Sequence, residues 1–468
     1  MRTVDPHLGY DIAHNPSSLP KKIKIIYDPL FEKKVMDVTP EQLFKKIEEL
    51  DLVTTINGCF FKPHKKELSV FSEVVDSLMT SRKEYKNKMF DAIEEKDKDS
   101  ENFYYTRQLV YKVLANTLYG VVANKSFRFF DLSLASAITL SGQEALKLSI
   151  VEGDAFMRHL NLEKEYVAPI ELTKKEMFSD EMPNRSNEYI ITGDTDSIFC
   201  CFQNFKNKEV NVKNILGWCG QIEDFLNKEK MIDLVKKHNV DLDFNRLQLK
   251  NELVISRGLF LAKKRYAIRV VSNEGREVDK INYMGVEIKR SDYPSKSKKF
   301  LSELLDLLLK SETISIPKLL RYIERAKIDF TKTILDGQKT IARPITYGKK
   351  LKDYKSIPQG VRAMEAWNKI MYPIHQVGAK SYMFWVRGIN FDKILDVEER
   401  EKIRKKYDQF IADGNKLQVI GLPDEEVKLP EFFEPDLRAS LKFSFIDRYE
   451  LMLKPLMEVQ EKTEILTI

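Results

Sequence analysis

The chain has 468 residues, of which 32% are charged and 43% hydrophobic, so it can bury sizeable cores and is neither disordered nor fibrous. Its length predicts about two to four folding units. The net charge of +6 is modest, the four cysteines form no C-x-x-C or Cys/His pattern, and no long apolar run occurs, so we expect a cytoplasmic protein without disulfides, zinc or membrane spans.

The first half of the chain predicts a small mixed region followed by long helices. Residues 1–60 are interrupted by prolines and end in "TTINGCFFKP", which is typical of a hairpin or strand pair. Apolar residues at helical spacing predict one helix from about Glu67 to Lys96 and another from about Phe103 to Leu118. The polar run "EEKDKDSEN" between them predicts an antiparallel helical hairpin. A further helix is expected through "LASAITLSGQEALKLSIVEGDAF".

The second half combines strands with helices. Apolar residues on both sides of Asp194 and Asp196 predict strands, as do "RYAIRVVS" and "INYMGVEIK" between Asn251 and Lys289. The stretches "FLSELLDLLLK", "IPKLLRYIERAKIDF" and "FDKILDVEEREKIRKKYDQFIADG" predict a mostly helical C-terminal region. The sequence therefore predicts an α+β fold with an inserted helical hairpin.

The stretch "GDTDS" places two carboxylates, Asp194 and Asp196, between two apolar runs. Gly193 permits a tight turn, and a hairpin tip there would bring both carboxylates into one small volume. Such a pair can bind Mg²⁺ together with substrate phosphates. A calcium loop is excluded because Ile198 occupies a ligand position, and a solvated turn is the remaining alternative.

Two helical stretches carry polar residues at helical spacing. Lys112, Asn116 and Tyr119 fall on one face of the second hairpin helix, and Gly120 would let a flat group approach the backbone or end the helix. An ordinary amphipathic helix with Tyr119 in the core is the alternative. On the first hairpin helix, Arg82 and Lys86 are one turn apart and could join Lys112 to grip a triphosphate, although "RKEYKNK" alone is more typical of a solvated face.

Positive charge is concentrated between Arg257 and Phe300, where 12 Lys/Arg face 5 Asp/Glu. Clustered cations attract phosphates, and a salt-bridged surface is the alternative. At the start of a predicted strand in this segment stand four residues suited to a nucleic-acid backbone or minor groove: Lys263, Lys264, Arg265 and Tyr266.

The order of these features resembles that of family B DNA polymerases, closest to the replicative polymerases of T-even-like phages. The resemblance rests on Lys112-x-x-x-Asn116-Thr117-x-Tyr119-Gly120, then "GDTDS", then "KKRY", with "FRFFDLSLASAITLSGQ" and "MGVEIKRSDYPS" as further matching stretches. It implies a right-hand fold with an antiparallel palm sheet, two-helix fingers and a mostly helical thumb. The implied domains are a first palm segment at 1–65, fingers at 66–124, the remaining palm at 125–292 and the thumb at 293–468.

The resemblance also implies a role for each matching residue. Asp194, Thr195 and Asp196 match the metal-binding motif for two Mg²⁺ ions, in which Asp196 is the more direct ligand. Five residues of the hairpin match the dNTP site: Arg82, Lys86, Lys112, Asn116 and Tyr119, of which Lys112 also neutralises charge during transfer. Six residues match primer–template contacts: Gly120, Lys263, Lys264, Arg265, Tyr266 and Arg362, although the His and Gly usual beside that arginine are Gly360 and Ala363 here.

A family member needs a further aspartate, in a motif of the form Asp-x-x-Ser-Leu-Tyr-Pro. Laying "DPHLGYDIAHNPSSL" on the family segment aligns Pro6 and Pro16 with family prolines and puts that aspartate before Met1. Asp5 with Tyr10 is the alternative match. We therefore expect the C-terminal part of a split polymerase, whose partner chain supplies the aspartate and the exonuclease domain. A sliding clamp is a further candidate partner, although "MEVQEKTEILTI" lacks the paired aromatics typical of a clamp-binding tail.

The expected function is thus template-directed transfer of nucleotides from dNTPs to a primer 3′-hydroxyl. One alternative is a non-catalytic DNA-binding remnant of a polymerase, against which the retained Lys112, Asp194 and Asp196 speak. Another is a reverse transcriptase or RNA polymerase, which the Lys-x-x-x-Asn-x-x-Tyr-Gly helix disfavours.

Overall fold

A computed structural model describes residues 1–27, 33–63, 69–179, 181, 188–206, 208–311 and 315–454. The chain divides into two compact units, Met1–Glu252 and Leu253–Ile468. Helices and antiparallel sheets occur in both units, which confirms the predicted α+β class. Among the described residues, no helix is both long enough and apolar enough to cross a bilayer. The proposed clamp-tail segment, residues 457–468, lies outside the described part of the chain.

The first unit begins with a small sheet and two helices. Its elements to residue 61 are β1 (Arg2–Thr3), α1 (Leu8–His14), β2 (Ile23–Tyr27), β3 (Lys34–Val38), α2 (Pro40–Leu50), β4 (Val53–Thr54) and β5 (Phe60–Phe61). Strands β1, β2 and β3 form one antiparallel sheet, and Ile23, Ile25 and Leu43 are fully buried in its core. Strands β4 and β5 pair antiparallel, which confirms the hairpin predicted from "TTINGCFFKP".

The predicted helical hairpin is present as α3 (Val70–Glu94) and α4 (Lys98–Val122). The second helix begins five residues earlier than the periodicity indicated, because the Asp97 side chain accepts hydrogen bonds from the Asp99 and Ser100 amides and caps it. Tyr85 of α3 packs between Tyr104 and Tyr111 of α4, with the Tyr85 and Tyr111 rings stacked at 5.5 Å. Aromatic contacts therefore hold the two helices together.

The rest of the first unit is built around one long helix. Its elements are α5 (Leu132–Leu162), α6 (Lys174–Phe178), β6 (Ile190–Asp194), β7 (Ser197–Cys200), α7 (Val212–Phe225) and α8 (Met231–Lys237), with a π-helical turn at Leu226–Lys230 between the last two. Ile150 and Met157 of α5, Ile190 of β6 and Leu226 are all at most 1% exposed and share one core. This core fixes the β6–β7 hairpin against α5.

The second unit opens with a three-stranded antiparallel sheet followed by a helix. The strands are β8 (Leu253–Ala262), β9 (Arg265–Asn273) and β10 (Arg276–Met284), in the order β10-β9-β8, and the helix is α9 (Ser295–Leu309). The strand predicted from "INYMGVEIK" ends at Met284, and Glu287–Lys289 form a 3-10 helix instead. The positive φ of +61° at Gly285 breaks the extended backbone there.

The remainder of the second unit contains a sheet that the sequence did not predict. Its elements are α10 (Ile316–Leu335), β11 (Arg343–Thr346), α11 (Gln359–Ile370), β12 (Lys380–Ile389), α12 (Val397–Ala412), β13 (Val419–Pro423), β14 (Phe433–Pro435) and α13 (Leu437–Leu441). Strand β12 pairs with β11, β13 and β14, and Trp367, Phe433 and Phe445 are buried beside it. The predicted helix at "FDKIL" is a 3-10 turn, Phe391–Lys393, because Asp396 caps a new helix from Val397.

Candidate active site

The two aspartates of "GDTDS" lie at the tip of the β6–β7 hairpin. Asp194 pairs with Ser197 across the hairpin, so Thr195 and Asp196 form the two-residue turn. The turn was predicted at Gly193, but that glycine is paired with Ile198 inside the hairpin. Thr195 takes the positive φ of +58° that closes the turn, and the Asp196 amide donates to the Asp194 carbonyl at 2.7 Å.

The carboxylates of this tip are accessible. Asp194 is partly exposed and Asp196 is exposed, and the Thr195 hydroxyl donates to the Asp194 carboxylate at 3.0 Å. Two carboxylates one residue apart on a solvent-facing turn fit Mg²⁺, which prefers one or two carboxylates plus phosphate oxygens and water. Within the described ranges, neither belongs to a group of three or more side chains able to hold a metal ion.

A buried aspartate that the sequence did not point to holds the base of this hairpin. Asp154 of α5 is 4% exposed, and its carboxylate accepts hydrogen bonds from the amides of Tyr189 at 2.8 Å and Ile190 at 3.0 Å. These amides precede or begin β6, so one carboxylate binds the start of the strand that ends in Asp194. Arg158, one turn on, lies 3.4 Å from the same carboxylate. Charge-assisted bonds of this kind are among the stronger ones in proteins.

Small residues bring the hairpin close to α5. A Cβ on Gly153 would lie 2.9 Å from the Ile190 side chain, and one on Gly193 would lie 3.1 Å from Ile150. Both distances are shorter than ordinary side-chain contacts. The sequence signal for this platform was available: an acid and a glycine, Gly153 and Asp154, interrupt the apolar face of a long helix.

Asp5, the alternative first-motif aspartate, does not join the pair at the hairpin tip. Its carboxylate accepts a hydrogen bond from the His7 amide at 2.9 Å, at the entry to α1. Across the described residues it shares no metal-binding group with Asp194 or Asp196. In this conformation Asp5 caps a turn.

Three predicted phosphate-binding cations lie on one side of the helical hairpin. Lys86 and Lys112 each follow one of the stacked tyrosines, Tyr85 and Tyr111, by one residue. In a pair of antiparallel helices, the residue that follows a contact residue points to the same side of the pair in either helix. Lys86 and Lys112 each follow a contact tyrosine, so both lie on that side. Arg82 lies one turn before Lys86 and shares its face.

The other predicted dNTP-site residues are exposed along α4. Asn116, Tyr119 and Gly120 all face solvent, and Tyr119 is 41% exposed, so it is not the core residue that the alternative reading required. The helix continues past Gly120 to Val122, and a Cβ on Gly120 would meet nothing within 4 Å. Gly120 therefore does not end the helix and lies beside open space.

In the second unit, the "KKRY" residues divide between a turn and a strand. Ala262 pairs with Arg265, so Lys263 and Lys264 form the exposed turn between β8 and β9 and do not begin the strand as predicted. Lys264 has a positive φ of +60°, which an extended strand does not allow. A Cβ on Gly285 would lie 2.2 Å from the Lys264 carbonyl oxygen, so only glycine fits beside this turn.

Arg265 and Tyr266 begin β9 and make contacts within the unit. The Arg265 guanidinium donates to the carboxylate of buried Glu287 at 2.6 Å, and the Tyr266 ring lies 5.6 Å from that of Phe260. The Arg265 side chain is thus used in a structural ion pair. Arg362 is exposed in the first turn of α11.

Comparison with known proteins gives a consistent result. A model described as DNA polymerase family B matches residues 31–359, which is more than half of the chain. The DNA-directed DNA polymerase of Enterobacteria phage T4 is 24% identical over 406 residues, covering 83% of this chain and 40% of that protein. That of Escherichia phage RB69 is 27% identical over 224 residues, covering 44% of this chain and 22% of that protein.

A eukaryotic relative is also similar. The DNA polymerase delta catalytic subunit of Candida albicans is 24% identical over 326 residues, covering 69% of this chain and 26% of that protein. The chain thus spans two fifths or less of the length of these relatives. The extent of the family match, together with the phage relatives, confirms the resemblance found in the sequence: the chain belongs to DNA polymerase family B.

Proposed function

We propose that this chain carries the nucleotidyl-transfer site of a DNA-directed DNA polymerase, which joins dNTPs to a primer 3′-hydroxyl under the direction of a template. The observation that carries the proposal is the exposed Asp194 and Asp196 tip, held on α5 by Asp154. Two carboxylates one residue apart on an accessible turn are ligands that Mg²⁺ accepts together with phosphate oxygens. This reaction fits the cytoplasmic location predicted from the sequence.

Asp194 and Asp196 would hold Mg²⁺, two ions by analogy with the family, and the Thr195 backbone lies between them. When bound, the metal supplies charge stabilisation to the attacking hydroxyl and to the departing pyrophosphate. The chain's own contribution is to hold the two carboxylates in place. The buried β6 residues and the Asp154 hydrogen bonds do this before any substrate arrives.

Arg82, Lys86 and Lys112 would bind the triphosphate of the incoming nucleotide. The Arg82 Nε is buried without a hydrogen-bond partner among the described residues, so its guanidinium would have to turn outward to donate to a phosphate oxygen. Lys112 is exposed on the same side of the hairpin and would add a mobile positive charge. Asn116, Tyr119 and Gly120 would face the nascent base pair on the exposed part of α4.

In the second unit, Lys263 and Lys264 would contact the phosphates of the primer strand. Both are exposed at a turn that Gly285 keeps tight, and phosphate contacts by lysine fix position without reading sequence. Tyr266 and Arg362 are proposed to contribute further primer–template contacts. Arg265 would act through Glu287 by fixing the start of β9.

We assign the helical hairpin to fingers, the surrounding first unit to palm and the C-terminal helices to thumb. The proposed palm, ending at 292, extends beyond the first compact unit, because the β8–β10 sheet belongs to the second unit. These domain names remain a proposal that rests on the family resemblance.

A further carboxylate is proposed to complete the metal site, supplied by a second polypeptide that also carries the exonuclease domain. Asp5 is the alternative within this chain. The Asp5 carboxylate accepts a hydrogen bond from the His7 amide. A sliding clamp is a further proposed partner.

Primer extension tests the proposal directly. We expect Mg²⁺-dependent synthesis by this chain together with the second polypeptide, abolished by Asp196→Ala and by Asp194→Asn, with DNA binding unchanged in both. Asp5→Ala should leave synthesis intact. Lys112→Ala should raise KM for dNTP and lower kcat, because a phosphate-binding cation acts in both the bound and the transition state.

The outcomes separate the alternatives. DNA binding without synthesis under every condition would identify a non-catalytic remnant, and robust synthesis by this chain alone would refute the need for a second polypeptide. Incorporation of ribonucleotides or copying of RNA at equal rates would point to another class of polymerase.

A further inference from the structure

Three side chains from distant parts of the first unit meet in a buried cluster that the proposed reaction does not use. His14 lies in the last turn of α1, Glu144 in α5, and His238 directly after α8. The His14 Nε2 lies 2.6 Å from one oxygen of the Glu144 carboxylate, and the His238 Nε2 lies 2.9 Å from the other. The three ligating atoms all lie within 4.8 Å of one another.

The cluster is almost completely removed from solvent. The side chains of His14, Glu144 and His238 are 11%, 2% and 9% exposed. Buried polar groups persist only where each has a partner, and here the partners are two imidazole nitrogens and one carboxylate within a single small volume.

Neighbouring groups orient the two imidazoles. The Thr54 hydroxyl lies 3.2 Å from the His238 Nδ1, and the Thr54 amide donates to the His238 carbonyl at 3.0 Å. A hydroxyl can donate or accept, so Thr54 suits either tautomer of His238, including the one in which Nε2 has lost its proton. The His14 ring stacks on Tyr10 at 4.9 Å. Such partners beyond the ligands are typical of histidine metal sites.

We propose that His14, Glu144 and His238 form a structural site for a zinc-class divalent metal ion, which joins α1, α5 and α8. Two imidazole nitrogens and one carboxylate oxygen suit zinc, whereas Mg²⁺ and Ca²⁺ take oxygen ligands. Ligand atoms around tetrahedral zinc are about 3.3 Å apart, so the hydrogen-bonded pairs at 2.6 and 2.9 Å would widen by less than about 1 Å, and any longer spacing, which is at most 4.8 Å, would shorten by up to about 1.5 Å. A water molecule is the proposed fourth ligand.

This site is independent of the proposed catalytic metal site. Asp194 and Asp196 belong to a different pair of elements and offer only oxygen ligands. The sequence did not predict zinc, because that expectation rested on the spacing of cysteines, and the cluster uses none. Its two histidines are 224 positions apart in a chain with six histidines, so no local motif marks them.

The test uses the full chain without an affinity tag, stripped by a chelator and titrated with Zn²⁺ or Co²⁺ alone. We expect one zinc ion per chain by mass spectrometry, visible absorption bands typical of Co²⁺ bound by nitrogen, and a thermal midpoint that rises with metal concentration. His238→Ala and Glu144→Gln should abolish all three effects. Thr54→Val should weaken zinc binding by about 10–100-fold.

Two controls make the result specific. His7→Ala removes an exposed histidine from the same N-terminal segment and should bind zinc like the unchanged chain. The double variant Asp194→Asn, Asp196→Asn should also keep one zinc ion, which separates this site from the proposed active site. If His238→Ala does not fold, the titration of the unchanged chain and Thr54→Val still decide the matter.

The proposal fails if the unchanged chain takes up no zinc, shows no Co²⁺ bands and unfolds at the same temperature with and without Zn²⁺. The cluster would then be a hydrogen-bonded network only. Zinc binding that survives in both His238→Ala and Glu144→Gln would overturn the assignment equally.

Discussion

Replacing Asp154 with alanine tests whether α5 positions the proposed catalytic hairpin. The carboxylate is 4% exposed and accepts bonds from two backbone amides, of Tyr189 and Ile190. A hydrogen bond to a charged group contributes about 1.5–3 kcal/mol, and its loss here leaves two amides without a partner. Water that enters the space left by the aspartate side chain can bind the two amides and recover part of the lost free energy. We therefore expect the free energy of unfolding to fall by about 3–5 kcal/mol.

Asp154→Asn keeps an oxygen acceptor without the charge and should cost only about 1–2 kcal/mol. The control is Asp224→Ala, because that side chain is 67% exposed and its ion pair is with Lys228, one turn on, so a change below about 0.5 kcal/mol is expected. Denaturant unfolding gives the free energies, and hydrogen exchange of residues 188–200 gives the local effect. We expect faster exchange at Tyr189 and Ile190 in Asp154→Ala.

The reasoning is refuted if Asp154→Ala unfolds within about 0.5 kcal/mol of the unchanged chain and its exchange at these amides is unaltered. In primer extension, Asp154→Ala should lower kcat. The kcat of Asp154→Asn should lie between those of Asp154→Ala and the unchanged chain. A drop in kcat equal to that of Asp224→Ala would mean that Asp154 does not position the hairpin.

Three further predictions concern Gly285, Cys219 and the neighbouring residues Lys264 and Arg265. Gly285→Ala should weaken DNA binding and destabilise the second unit, since a Cβ there would lie 2.2 Å from the Lys264 carbonyl oxygen; binding equal to that of the unchanged chain would contradict this. Burial raises the pKa of the Cys219 thiol to about 12. At pH 8, iodoacetamide should therefore label this thiol about a thousandfold more slowly in the folded protein than in denaturant. The contribution of the buried thiol to the free energy of unfolding should decline only above pH 9. Lys264→Ala should reduce the salt dependence of DNA binding by about one phosphate contact, whereas Arg265→Gln should mainly lower the unfolding free energy because it leaves Glu287 buried with a weaker partner.

Features with a local cause could be predicted from the sequence. The helical hairpin appeared within a few residues of its actual limits, because amphipathic spacing and a polar turn are both encoded in consecutive residues. The strands around Asp194 and Asp196 were also predicted, since apolar runs flank a two-residue tip. The position of the turn was not, because a positive φ at Thr195 is uncommon for a β-branched residue.

Features set by distant partners could not be predicted. All five residues of β13 are buried, so the strand shows no alternation of apolar and polar residues. Its partner β12 is separated from it in the sequence by the whole of helix α12. Arg265 was grouped with Lys264 as a cation for nucleic acid, yet Glu287 takes its guanidinium. The sequence shows that both residues are basic, but only the fold shows that Arg265 is paired with Glu287.

The position of the proposed catalytic pair, Asp194 and Asp196, is determined more by α5 than by the hairpin itself. A two-stranded hairpin is only marginally stable alone. The helix α5 carries two buried carboxylates, Glu144 and Asp154, ten residues apart, which places them about 15 Å apart along the axis and on the order of 80° apart around it. Each is satisfied by its own set of partners, two histidines for Glu144 and two amides for Asp154.

Any rotation or slip of α5 would therefore leave at least one buried carboxylate without its hydrogen bonds, at a cost of several kcal/mol. Because the two carboxylates point in different directions, no single rotation or slip of the helix can keep the hydrogen bonds of both. The helix is thus fixed in both rotation and translation, and Asp154 transfers that fixed position to the start of β6. The proposed site at Asp194 and Asp196 is held, on this account, by two charged residues, Glu144 and Asp154, that take no part in the proposed reaction.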